Sequence, residues 1–333
     1  MAIPTSAYPA PFNTTRASHV VLTVKDLGRA RAFYVDAFGF AVSDEDADTL
    51  WLRGIEEACH HSLVLKRSDE PPRAERIGMR VYTEDDLDRA KHVFEAAGLP
   101  ARFVEVPHQG RTLHVNDAVG TPLELCATQP LRPRLVVQFD QHHGASPQRI
   151  DHFQILTPKV REACAFYCSL GFRLSEFIAL DDTDELLFVF LQRKGNPHDI
   201  VFASQAGPRL HHAAFSVPDA VHLLKACDIA GLYGFGNNLE AGPGRHGPGH
   251  ALYCYFRDPD GHRLELFTTH YQVMDIENEP VRWNLSQLRS RPWGFPPRRR
   301  WYEEAMPFEG VPVEEPAQQG DPMTLERFLA EDA

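Results

Sequence analysis

Alternating apolar and polar positions predict short strands along this chain, and apolar residues three and four apart predict helices between them. Ser18 to Val24, SHVVLTV, reads as a strand. Asp26 to Phe38 follows with Leu27, Ala30, Phe33, Tyr34 and Ala37 on one helical face, and Gly39 closes it. Leu50-Trp51-Leu52, Ser62 to Leu65 and Arg76 to Tyr82 are further strands. Asp85 to Ala97 is a second amphipathic helix ended by Gly98, and Thr112 to Ala127 forms a hairpin around Gly120.

The pattern then starts again. RASHVVLTV (16–24) aligns with RIDHFQILT (149–157), and ARAFYVDAFGF (30–40) aligns with ACAFYCSLGF (163–172), one residue shorter. ERIGMRVYTEDDLDRAKHVFEAAGL (75–99) aligns with PRLHHAAFSVPDAVHLLKACDIAGL (208–232), and NDAVGTPLELCAT (116–128) with RDPDGHRLELFTT (257–269). The offset is 152 − 19 = 133 at the first strand, 212 − 79 = 133 at the third block and 265 − 124 = 141 at the last. A repeat this long predicts duplicated β-α-β-β-β modules, an α+β fold. The expected layout is a lead-in over 1–16, one module-bearing domain over 17–130, a Pro-containing linker over 131–148 and a second domain over 149–270. An extension over 271–308 and an acidic tail over 309–333 follow, the tail with a short helix at Met323 to Leu329.

Composition adds little to the fold but narrows the partners. The 333 residues carry a net charge of −12, which argues against nucleic acid or an anionic membrane as partner. No apolar run reaches membrane-spanning length, and MAIPTSAYPAPFNTTR lacks a signal-peptide core. The six cysteines have no CxxC spacing and suit a reducing compartment, so a cytoplasmic protein is expected. Seventeen histidines are the informative excess.

The chemistry gathers in the second copy, around HALYCYFRDPDGHRLELF (250–267), a strand, a tight turn and a strand. Glu265 lies between Leu264 and Leu266, and a carboxylate in so apolar a run needs a partner. His152 on the first strand shares a face with Gln154. In LHHAAFSV, His212 shares a face with the small Ala214 and Ser216, so His212 rather than His211 has room for a ligand. Two imidazoles and a carboxylate on three strands make a facial triad that leaves open positions on a metal such as Fe(II). The corresponding residues of the first copy at these offsets are His19, Met79 and Glu124, which lack one histidine, so the first domain is expected to have no intact metal site. Tyr255 points the same way as Glu265 only if the hairpin loop runs from Asp258 to His262.

Together, EEACHHSLVLKR, RIDHFQILTP, RKGNPHD, GPRLHHAAFS, GPGRHG, YCYFRDPDGHRLELFT, RWN and WYEEA resemble the type I extradiol ring-cleaving dioxygenases of the vicinal oxygen chelate superfamily. The resemblance runs from His19 to Ala305 and is closest to members that open 3,4-dihydroxyphenylacetate. It implies tandem βαβββ modules, two per domain. It further implies Fe(II), or Mn(II) in some relatives, held by His152, His212 and Glu265, with O2 as co-substrate. By the same resemblance His198 is an acid/base, Tyr255 bonds a substrate oxygen, and His246 lines the pocket. A homo-oligomer, such as a tetramer, is the implied assembly. The chain departs from the family at Gln154 (Asn in the family), Phe190 (Trp) and Ala241 (Arg), and it has Ser290-Arg291 where the family has paired arginines. Arg245 and Arg291 are the remaining candidates for a carboxylate on the substrate. The departures bear on the ring substituent: an arylacetate, a neutral catechol or a trihydroxylated ring. A glyoxalase-like metal-dependent isomerase or lyase shares the triad pattern, and a bleomycin-resistance-like binding protein lacks it.

Overall fold

The computed structural model describes residues 2–268, 270–289, 293–294 and 297–316. Arg291, Ser290 and the helix expected at Met323 to Leu329 lie outside the described residues.

Strands and helices follow one another as the repeat predicts, ten in each half. The first half contains β1 (Thr14–Val24), α1 (Leu27–Arg31), β2 (Ala41–Glu45), β3 (Thr49–Arg53) and β4 (Leu63–Arg67), then β5 (Ala74–Val81), α2 (Glu84–Ala96), β6 (Ala101–Val104), β7 (Thr112–Asn116) and β8 (Pro122–Cys126). The second half repeats this with β9 (Arg149–Thr157), α3 (Val160–Ser169), β10 (Arg173–Ala179), β11 (Leu186–Gln192) and β12 (Ile200–Ser204), then β13 (Arg209–Ser216), α4 (Ala220–Leu232), β14 (Leu239–Arg245), β15 (Leu252–Arg257) and β16 (Arg263–Thr268). Each half is therefore two βαβββ units. Their strands join in the orders β2-β3-β4-β1-β5-β8-β7-β6 and β14-β15-β16-β13-β9-β12-β11-β10. The extra residue of ARAFYVDAFGF is absorbed in a π-helical turn, Ala32–Ala37, which continues α1.

One face of each sheet packs on the helices. Phe153, Ile155, Phe202 and Phe215 of the second sheet join Tyr167 and Cys164 of α3 in a core that also includes Phe33, Tyr34 and Leu65 of the first half. The halves are cross-tied by a reciprocal pair. Tyr34 Oη donates to Asp258 Oδ2 at 3.0 Å, and Tyr167 Oη donates to Asp117 Oδ2 at 3.1 Å. In each case a helix tyrosine of one half caps the final hairpin turn of the other. Burial pushes both aspartates up, Asp117 to about 6, and both tyrosines well above their usual range.

Residues of the extension pack on the other face of the second sheet, Leu285 with Ile178, Leu187 and Val201, and Trp301 with Tyr253 and Tyr255. Here β17 (Val281–Asn284) adds parallel to β10, and Trp283 Nε1 donates to the buried Glu176 at 2.6 Å. After α5 (Arg299–Glu303), β18 (Met306–Pro307) pairs with β13. No helix among the described residues is long and apolar enough to cross a membrane.

Candidate active site

The centre of that second face holds the predicted triad. β9 delivers His152 and β13 delivers His212, while β16 places Glu265 directly beside Ala214. All three side chains are buried. His152 Nε2 lies 3.1 Å from Glu265 Oε2, His212 Nε2 lies 3.0 Å from the same oxygen, and the two imidazole nitrogens are 3.4 Å apart.

The outward nitrogens fix what the inward ones can do. The Trp301 carbonyl can only accept, so His211 Nε2, 2.6 Å away, carries its proton. Burial holds the His211 pKa well below the usual value, with Arg263 adding to the effect, so His211 Nδ1 is a lone pair. His212 Nδ1, 2.7 Å from it, must then donate. That leaves the lone pair of His212 Nε2 facing the Glu265 carboxylate. His152 Nδ1 likewise meets the buried Asp151 Oδ2 at 3.0 Å, and its Nε2 points inward. Three buried acceptors thus converge, and a proton or a cation must sit between them. Although burial resists charge, hydrogen bonds to Asp151 and Glu265 raise the His152 pKa. Burial also opposes the Glu265 charge, yet His212 and His152 hold its carboxyl well below the carboxylate range. The spot draws positive charge, and an N2O donor set of this kind fits a divalent first-row metal.

His198 enters from the turn before β12. Its ring sits edge-on to His152 with centroids 4.2 Å apart and packs 5.3 Å from Phe190. Burial drives its pKa well down, with His152 and His270 adding to that shift, and its buried Nδ1 has no partner. On the other flank Tyr255 pairs directly with Glu265, so the loop is Asp258 to His262 and the register required by the chemistry is present. Burial, then the Glu265 charge, raises the Tyr255 pKa well above its usual range, so it is a donor at neutral pH. His246 Nε2 lies 2.9 Å from Tyr255 Oη and 3.4 Å from Glu265. Gln154 is buried opposite His212 on β9. Arg245 is placed otherwise: its guanidinium bonds the His250 carbonyl at 2.8 Å and is engaged with its own loop.

Sequence reasoning missed two contributors. His270 packs against Phe267 at 4.4 Å and His198 at 4.8 Å, and with His152 and His198 it forms a second convergent imidazole group. It follows a strand end with no motif to mark it. Glu176 is buried and accepts from Gly249 N, Tyr271 Oη and Trp283 Nε1. It thereby anchors the 247–250 turn, whose Gly249 backbone is so close to His198 that a Cβ would sit 3.2 Å from the ring. The Glu176 signal was a carboxylate in an otherwise apolar strand.

The first half corrects one expectation. Glu124 lies opposite Gly78 as Glu265 lies opposite Ala214, and His19 lies opposite Gly78 as His152 lies opposite Ala214. Gly78 therefore matches Ala214, and Arg76, not Met79, stands in the place of His212. The helix caps Thr83 and Asp219 give the same offset, 219 − 83 = 136. In this copy Glu124 is already met by His19 Nε2 at 2.8 Å, His114 Nε2 at 2.7 Å and Gln109. The half-buried Arg76 lies in its field.

Residues 16–125 and 149–266 match the Glyoxalase/Bleomycin resistance protein/Dioxygenase superfamily. The chain belongs to that superfamily, and within it to the extradiol dioxygenases. Homoprotocatechuate 2,3-dioxygenase from B. fuscum superposes with a TM-score of 0.89 at 33% identity, covering 96% of this chain and 90% of that one. Its anaerobic complex with 3,4-dihydroxyphenylacetate, from Brevibacterium fuscum, superposes at 0.86 with 35% identity over 92% of this chain and 96% of that one. A manganese-dependent 2,3-dihydroxybiphenyl 1,2-dioxygenase from Geobacillus genomosp. 3 is 28% identical over 81% of this chain and 90% of its own length. One relative in this group is thus metal-dependent by name, on manganese.

Proposed function

We propose that the chain opens a substituted catechol beside its diol with O2, using Fe(II) held by His152, His212 and Glu265. The observation that carries this reading is the convergence of three buried acceptor atoms beside a buried histidine with an unpartnered nitrogen. Fe(II) at this site, or Mn(II) in its stead, would supply the redox chemistry that lets O2 react with a catechol.

The chain's own groups do the rest. His198 is held neutral by burial, so it takes a proton from a substrate hydroxyl and later returns it to oxygen. Tyr255 stays protonated and donates a hydrogen bond to a substrate oxygen, with His246 Nε2 orienting its hydroxyl. Asp151 and His211 hold the ligand imidazoles with their lone pairs inward. Phe190, the 247–250 turn and the Trp301 wall exclude water. The proposed product is a 2-hydroxymuconic semialdehyde.

For the ring substituent, similarity to the homoprotocatechuate enzymes supports an arylacetate such as 3,4-dihydroxyphenylacetate. One observation favours a second reading, a neutral substituent. Ala241 lies directly across from Tyr255 and is buried, and the Arg245 guanidinium is tied to the His250 carbonyl. The test is anaerobically reconstituted Fe(II) protein mixed with air and a panel of catechols, followed for a yellow ring-fission product. Preference for 3,4-dihydroxyphenylacetate over 4-methylcatechol supports the arylacetate, and the reverse supports the neutral ring. No product and no oxygen uptake with any catechol would overturn the dioxygenase reading in favour of a glyoxalase-like isomerase.

A further inference from the structure

The first half, which carries no complete copy of the catalytic triad, holds a different cluster. Asp44 on β2, His60 in the turn before β4 and His108 in the loop between β6 and β7 bring one ligand atom each within 4.8 Å of one another. His60 Nε2 and His108 Nε2 lie 3.9 and 3.5 Å from Asp44 Oδ2. The two imidazoles stack face to face, with centroids 4.0 Å apart and planes 6° apart, so they cannot hydrogen-bond each other through their ring edges. His60 is fully buried, and its Nε2 has no hydrogen-bond partner. An orphaned nitrogen in that setting is costly unless something binds it.

We propose that Asp44, His60 and His108 form a second divalent transition-metal site, of the Zn(II) class, remote from the catalytic triad. Two imidazoles, one carboxylate and an open side toward solvent are a donor set that Zn(II) takes. Tetrahedral zinc needs roughly 3.3 Å between its ligand atoms, so atoms that lie within 4.8 Å of one another must close by about 1.5 Å or less, and the stacked rings must tilt until both Nε2 lone pairs meet. His108 can supply that movement: it sits in a loop, about a third exposed, with φ of 60°. His61 Nδ1, 3.1 Å from His60 Nδ1, can accept the proton that the ligating tautomer of His60 carries there. The opposing charge is Arg132, whose NH2 lies 3.9 Å from Asp44, and it makes the site weaker than the catalytic one. Bound metal would pin the 105–111 loop to β2 and the turn before β4.

The test uses the full chain with its catalytic site filled by Mn(II), dialysed against Zn(II), with both metals counted per chain by mass spectrometry. The proposal predicts an additional equivalent of tightly held metal in the wild type. His108→Ala, which removes a partly exposed loop ring that stacks on His60 and meets the edge of Trp51, should lose that equivalent and keep the other, whereas Glu265→Ala should do the opposite. A wild-type total of one metal per chain, or an additional equivalent that survives both His108→Ala and Asp44→Ala, overturns it. Because the count is made per variant, failure here leaves the catalytic reading untouched.

Discussion

His211 offers the sharpest test of how the site is built, because it touches no reacting atom. Its Nε2 donates to the Trp301 carbonyl and its Nδ1 accepts from His212, so it fixes the tautomer that turns the His212 lone pair inward. His211→Phe keeps the ring packed against Trp301, now 4.6 Å away, but removes both bonds. Two buried groups lose their partners, at about 1–3 kcal/mol each. The His212 ring is also freed to place its proton on the inward nitrogen. Loss of such an outer partner weakens metal binding by about 10–100-fold, or about 1.4–2.7 kcal/mol. His211→Gln should recover much of this, since its amide can accept from His212 and donate to Trp301 at once. The assay is chelator competition for Mn(II) or Fe(II), run beside denaturant unfolding so that metal affinity and global stability are separated. Wild-type affinity in a folded His211→Phe protein, or no difference between the Phe and Gln variants, would refute the tautomer reasoning.

Other outcomes follow from the same geometry. His198→Phe should keep its metal content but lose turnover by about 10²–10⁴-fold in steady-state oxygen uptake, the usual worth of a positioned acid/base; unchanged turnover would remove that role. Ala241→Arg should shift the kcat/KM ratio toward 3,4-dihydroxyphenylacetate over 4-methylcatechol by about tenfold or more, the worth of one charge-assisted hydrogen bond. Asp117 is raised by burial to about 6, so its contribution to stability is full below pH 4 and is lost as pH rises through 6. On the order of 3 kcal/mol is at stake. Asp117→Asn should therefore unfold with a flatter pH dependence than wild type between pH 4 and 6, and parallel curves would contradict the assignment.

Much of this was legible in the residues. The duplicated strands and helices follow from the alternation and the repeat, whereas the Asp258-Pro259-Asp260-Gly261 turn left two registers open, and the strand pairing selects the one that places Tyr255 across from Glu265. The placement of His212 over His211 followed from the small residues on its face. The offset at the third block was not legible from hydrophobic pattern alone. ERIGMRVYT and RLHHAAFSV are both apolar enough to slide by three residues, and the longer β10–β11 hairpin hides where the insertion falls. The caps Thr83 and Asp219 mark helix starts by chemistry rather than by hydrophobicity, and they give the right answer. His61 illustrates the same point. Its edge-on contact with His19, 5.2 Å between centroids, repeats that of His198 with His152, but only the strand register shows the match. His270 and the engagement of Arg245 with His250 depend on how loops close over the sheet, which no local pattern encodes. The lone histidine of TTHY and the arginine of GPGRHG read alike whether they face the site or their own backbone.

The most direct measurement is anomalous diffraction from crystals of the protein grown with Mn(II). The account predicts a strong peak bounded by His152 Nε2, His212 Nε2 and a Glu265 carboxylate oxygen, within bonding distance of all three, and its loss in Glu265→Ala. A well-ordered site with no peak there, or a peak that persists without the Glu265 carboxylate, would contradict it.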